Sequence, residues 1–198
     1  MIEGVIEPLA KALPSMSSSP PDSESHKLSV AAFEALFLAT YPRLVSLLRR
    51  MLGDSGRAEE IANEAFLKLH STALPPAARE NIAGWVYRTA MNLGIDDLRA
   101  RARHAQVSRE AFTATSSTTH PDDGLQNLLR QEKQRRVRVA LSRLRPEWSQ
   151  ILLLRASGYS YKEIAAHLDI AITSVGTLLV RAEAGFEKCY LALFGEKD

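Results

Sequence analysis

The chain has 198 residues, 45% of them hydrophobic, and a net charge of only +2. That length suits one or two domains, and the composition supports compact cores but does not make a polycation or a membrane protein. The single cysteine, Cys189, excludes an internal disulfide and a multi-cysteine zinc site, and fits a reducing cytoplasm.

Residues 1–27 end in a Pro- and Ser-rich stretch from Pro14 to Ser23 and read as a flexible tail. Their opening residues lack the basic start of a secretory signal, and no apolar run reads as long enough to span a bilayer. Ser29 is placed to cap a first helix, with Phe33, Leu36, Phe37, Leu44, Leu47 and Leu48 at helical spacing. Pro42 should break or kink it. After Gly53-Asp54-Ser55-Gly56, a second helix is expected from about Arg57 to His70. Ile61, Ala62, Ala65, Phe66 and Leu69 form its buried stripe, and Glu60, Asn63, Glu64 and Leu67 face outward. A loop through Pro75-Pro76 to Asn81 leads to a third helix from Ile82 past Arg99.

On that third helix Trp85, Arg88, Asn92, Asp96, Arg99 and Arg103 recur at three- and four-residue steps and share a face. An aromatic ring, hydrogen-bonding groups and guanidiniums are what single-stranded DNA requires: stacking, edge reading and phosphate contact. Trp85 taken alone reads as a core anchor before it reads as a stacking platform. Residues 105–124 turn polar and read as an interdomain linker. Helical spacing resumes at Leu125, and Pro146 fits the first turn of a further helix that closes near Gly158.

From Ser160 to Arg181 the pattern is a helix-turn-helix. Ser160 and Glu163 form a capping box, Asp169 falls at a left-handed turn position, and Thr173 restarts a helix with Val175, Leu179 and Ala182 inward. The fold class is therefore all-α: two small helical domains, residues 28–104 and 125–198, joined by a flexible linker. Scattered histidines and the lack of a nucleophile motif exclude a recognisable enzyme site; no metal or cofactor is expected.

Three blocks carry a family resemblance: Ala58 to Leu69, Trp85 to Asn92 with Asp96 and Arg99, and Leu141 to Trp148 followed by the hairpin. Together they resemble the extracytoplasmic-function (ECF) group of bacterial sigma-70 factors, which lend promoter specificity to RNA polymerase. The resemblance implies a region 2-like first domain and a region 4-like second domain. It implies polymerase docking through Glu60, Asn63, Glu64 and Leu67. It implies recognition and melting of the −10 element through Asn81, Trp85, Arg88 and Asn92, with Arg99 and Arg101 on phosphates. The −35 element would meet Thr173, Ser174 and Thr177, with Lys162 and Arg181 on the backbone. Core polymerase and promoter DNA are the implied partners, and the resemblance extends to an anti-sigma factor. The recognition helix departs from the family pattern at Gly176, Thr177 and Leu178, where the family usually has a basic residue, a small polar residue and an arginine. Weaker phosphate anchoring is the expectation there. A response-regulator-type transcription factor and a helical protein-binding adaptor are the rival readings.

Overall fold

The computed structural model describes residues 28–111 and 123–195. The flexible tail read over residues 1–27 and the central part of the expected linker lie outside the described residues. Eight helices follow in order: α1 (Val30–Leu52), α2 (Ser55–Ser71), α3 (Pro76–Glu80), α4 (Ile82–Ala111), α5 (Asp123–Arg143), α6 (Pro146–Ala156), α7 (Tyr161–Leu168) and α8 (Ile172–Phe194). No strand occurs among the described residues.

The caps explain the boundaries. The Ser29 hydroxyl accepts from the Ala32 amide at 3.2 Å, as its position predicts. Gly53 ends α1 at φ 72°, a conformation glycine adopts without the Cβ clash other residues meet. Asp54 then caps α2 by accepting from the Arg57 amide. Ser160 and Glu163 form the expected capping box, and Asp169 is the one described non-glycine residue at positive φ, 59°.

Four expectations are corrected. Helix α1 runs through Pro42 without a break. A missing N–H costs one hydrogen bond, while the helix beyond it buries Leu44, Leu47, Leu48 and Met51. The segment before Asn81 is not all loop: Pro76 starts the short helix α3, at the position where its fixed φ suits a first turn. Helix extends into both ends of the expected linker, to Ala111 and from Asp123. Finally, α1 is long and apolar enough by length and composition alone to cross a bilayer: its 23 residues carry few charges.

The first bundle packs α1, α2 and α4 around Leu44, Leu48, Ile61, Phe66, Val86, Met91 and Ile95, all nearly or fully buried. Phe33, Phe37, Tyr41, Phe66 and His70 make an aromatic cluster on one flank. The second bundle packs α5 to α8 around Leu141, Ile151, Leu154, Ile164, Val175 and Leu179. The two bundles are not apart. Helix α4 also packs against α5, α6 and α7, and the buried apolar residues form one continuous cluster.

Two glycines of α8 separate packing from propensity. A Cβ on Gly176 would meet only the Tyr161 ring, at 3.9 Å, whereas a Cβ on Gly185 would collide with the Trp148 ring. Gly176→Ala should therefore stabilise the chain by about 1 kcal/mol. Gly185→Ala should destabilise it by about 1–3 kcal/mol through overpacking. Urea denaturation of both variants checks the opposite signs.

Candidate nucleic-acid interface

The hairpin presents its expected face to solvent. Thr173, Ser174, Thr177 and Arg181 on α8 are all exposed, as is Lys162 on α7. Their spacing puts the α8 residues on one side of the helix, opposite the buried Val175, Leu179 and Ala182. Leu178 stands aside from that face: it is half-buried, packs against the core and lines a cavity toward α4.

The polymerase-docking set also faces outward. Glu60, Asn63 and Leu67 are exposed and Glu64 is half-buried, on the side of α2 away from Ile61, Ala65 and Phe66. Leu67 is 67% exposed, unusual for a leucine, beside an apolar groove of about 550 Å³ lined by Val30, Phe33, Phe37, Phe66 and His70. Glu60 pairs with Arg57 at 2.8 Å, and Glu64 with Lys68 at 3.2 Å.

On α4 the expected stripe exists, and the second bundle bonds to part of it: Trp85, Arg88 and Arg99 are half-buried, while Asn92, Asp96 and Arg103 stay exposed. Asn81 caps α4 by accepting from the Gly84 amide at 2.9 Å, and its own amide donates to the Ala166 carbonyl. Arg88 donates to the His167 carbonyl at 3.1 Å. Asn92 accepts from the Gln150 side chain at 2.6 Å. Arg99 donates to the carbonyls of Ser142 and Leu144, at 3.1 and 3.3 Å, and pairs with Asp96. A cavity of about 590 Å³ remains between the stripe and the second bundle, with Arg88, Asn92, Asp96 and Arg99 on one wall and Gln150, Ile151 and Leu178 on the other. Trp85 is half-buried and packs against the core, the anchoring role open to it from sequence; Tyr87 is buried outright. Arg101 pairs with Asp97 at 2.6 Å and with Asp54 at 3.5 Å. Asp97 also holds Arg57 at 2.8 Å, so these cations stitch α2 to α4.

Several residues of this contact escaped sequence reading: Arg43, Gln150, Tyr159, Glu163 and His167. Tyr159, Glu163 and His167 recur at four-residue steps, but Arg43 and Gln150 lie far from them in the chain, and nothing in the spacing points to α4. Glu163 is held at about 2 by the Ser160 amide and hydroxyl, then by Arg43 at 2.8 Å.

Among the described residues no group of three or more His, Cys, Asp and Glu could hold a metal. The arrangement instead offers two polar, partly cationic helix faces on two bundles, suited to phosphate and base edges. Similarity to known proteins matches that geometry. Residues 36–104 match the model of sigma-70 region 2, and residues 134–184 that of sigma-70 region 4. The RNA polymerase sigma factor CarQ of Myxococcus xanthus is 32% identical over 79% of this chain and 86% of its own length. The RNA polymerase sigma-H factor of Pseudomonas aeruginosa is 26% identical over 83% of this chain and 89% of its own. The ECF RNA polymerase sigma factor SigW of Bacillus subtilis is 24% identical over 74% and 82%.

Because the Glu163 carboxyl lies below its ordinary 4.5 in the fold, its stabilising contribution is complete above pH 4.5 and is lost as pH falls toward 2. Glu163→Gln should lower the thermal midpoint at pH 7, and the gap to the parent should narrow by pH 3; differential scanning calorimetry reads both. With both regions matched in order and a relative 32% identical across most of the chain, the protein belongs to the sigma-70 family of RNA polymerase sigma factors, in its ECF group.

Proposed function

We infer that this chain binds core RNA polymerase and directs it to promoters, reading the −35 element with the hairpin and opening the −10 element with α4. It is a non-enzymatic initiation factor. The observation that carries this assignment of parts is the pairing, in one chain, of the exposed face Thr173, Ser174, Thr177 and Arg181 with the Asn81, Arg88, Asn92 and Arg99 stripe. Residues 28–104 would form the polymerase- and −10-binding domain and residues 125–198 the −35-binding domain. The site of action is the cytoplasm, where polymerase meets DNA.

The roles follow from chemistry. Asn92 and Asn81 carry amides that can both donate to and accept from base edges. Extruding a base from the duplex costs a few kcal/mol, which a receiving surface on α4 and the loop before it must offset. Arg88 and Arg99 supply fixed guanidiniums for phosphates. On α8, hydroxyls of Thr173, Ser174 and Thr177 suit base edges, and Lys162 and Arg181 suit the backbone. Glu60, Asn63, Glu64 and Leu67 offer an acidic, partly apolar strip to a basic surface of polymerase. The α4 stripe engages DNA only after α7 leaves it, since Asn81, Arg88 and Asn92 now bond to the second bundle.

Adding the purified chain to core polymerase should create promoter-dependent transcripts; no change in start sites would overturn the assignment. Asn92→Ala should cut strand opening about five-fold or more, the cost of one base-edge contact at about 1–3 kcal/mol. Permanganate footprinting reads it, while co-purification with polymerase stays unchanged. Because the same variant loses the Gln150 bond and so loosens the closed arrangement, a loss of opening would come from the DNA side. Glu64→Lys should instead reduce co-purification. Lys162→Ala should weaken −35 binding evenly across sequences and reduce the salt slope by about 1.

A further inference from the structure

The contact between α7 and α4 is built from groups that each bundle could satisfy otherwise with water. The last carbonyls of any helix lack intrahelical partners. Those of Ala166 and His167, at the end of α7, are taken by the side chains of Asn81 and Arg88. Gly84 makes the approach possible: a Cβ there would sit 2.5 and 2.7 Å from the Asn81 side-chain amide and 2.8 Å from the Ala166 carbonyl oxygen, the two partners of that bond. Beside these bonds lies a ring stack. The His167 imidazole lies on Tyr87, centroids 3.8 Å apart at 26°, and meets Tyr159 edge-on at 5.3 Å. The two tyrosine hydroxyls bond at 2.9 Å. Arg43 sits 4.4 Å from the Tyr159 ring centre and pairs with Glu163.

We propose that this contact is a self-occluding latch: in the chain without polymerase the hairpin sits on the promoter-facing stripe of α4, and a proton on His167 releases it. That the covered stripe is the DNA-facing one rests on the function proposed above; the latch itself rests on the contact alone.

The charged and titratable groups facing the imidazole are Arg43 from α1, Tyr87 and Arg88 from α4, Tyr159 before α7 and Glu163 on α7. Burial, then Arg43, hold His167 down at about 4; Glu163 opposes them and Arg88 adds to them. Tyr87 is pushed well above the usual phenol range by burial and stays neutral. Glu163, at about 2, stays ionised. Opening returns His167 toward its ordinary 6.5, so the open state binds the proton more tightly. Closure is therefore strongest above pH 6.5 and weakens as pH falls, by up to tenfold per unit, toward about 4.

The test uses the full chain with Cys189→Ser and dye-labelled cysteines in place of the exposed Glu59 and Glu183, one on each bundle. Energy transfer should be high at pH 7.5 and fall by pH 5, with helicity by circular dichroism unchanged. His167→Gln should make transfer insensitive to pH, and His167→Phe, which keeps a ring on Tyr87, should do the same. Gly84→Ala, favourable to a helix yet obstructive to the approach, should give low transfer at both pH values. Unchanged transfer in the parent chain, an equal fall in both His167 variants, high transfer in Gly84→Ala, or a fall that tracks helix loss would each overturn the latch. A fluorescent single-stranded −10-like oligonucleotide separates the two readings. Gln150→Ala, which frees Asn92 and leaves every residue of the α4 stripe in place, should lower transfer and bind it several-fold tighter than the parent; a chain that opens yet binds no better would keep the latch and overturn the role given to α4.

Discussion

Helix α4 is claimed by two cores at once, and the rest of the arrangement depends on that. One side of it, Val86, Ala90, Met91, Ile95 and Leu98, completes the first bundle. The other meets α5, α6 and α7 of the second. Burial of the first side is apolar and non-negotiable at roughly 25 cal/mol per Å². The second side joins apolar contacts that continue the core, such as Tyr87 on Tyr159, with hydrogen bonds from Asn81, Arg88, Asn92 and Arg99 to carbonyls and an amide. Net, such bonds contribute only about 1 kcal/mol each, because water replaces them when they break. The polar part of the union is the part that water can replace, and it is there that the two bundles can part.

That division explains how one set of side chains can have two partners. A polar face of amides and guanidiniums, such as the one proposed to meet DNA, also suits another surface that offers it acceptors. Backbone carbonyls at the end of α7 and near the end of α5 present partial negative charge much as phosphate oxygens do. Arg88 and Arg99 answer both. Other cations have carboxylate partners: Arg57 and Arg101 share Asp97, and Arg135 and Arg136 share Glu132. Glu132 is accordingly held at about 2, chiefly by Arg135.

Local rules carried much of the fold. The capping box at Ser160, the left-handed Asp169, the cap at Ser29 and the buried stripe of α2 were all legible, because each depends on residues within one or two turns. Pro42 was misjudged because a penalty of a few kcal/mol is visible locally while the burial that overrides it is not. The short α3 was missed because five residues give no periodicity to read. At the candidate site the residue types and their shared face were legible, and so was the outward set on α8. What was not legible is that the two faces would be brought together. Gln150 meets Asn92 across 58 positions, and Tyr159 meets Tyr87 across 72. Nothing in either neighbourhood announces the other.

Helix α8 is 23 residues long, a rod of about 35 Å. Its first turns carry the exposed hydroxyls proposed to meet DNA, and its far end lies under α5, where Arg136 rests over the Phe194 ring. Tilting a lever at its handle moves its tip. Exchanges of aromatic or aliphatic bulk around Phe186, Tyr190 and Phe194 would thus swing the exposed hydroxyls at the other end, so a lineage could re-aim that face while Thr173, Ser174 and Thr177 themselves stay the same.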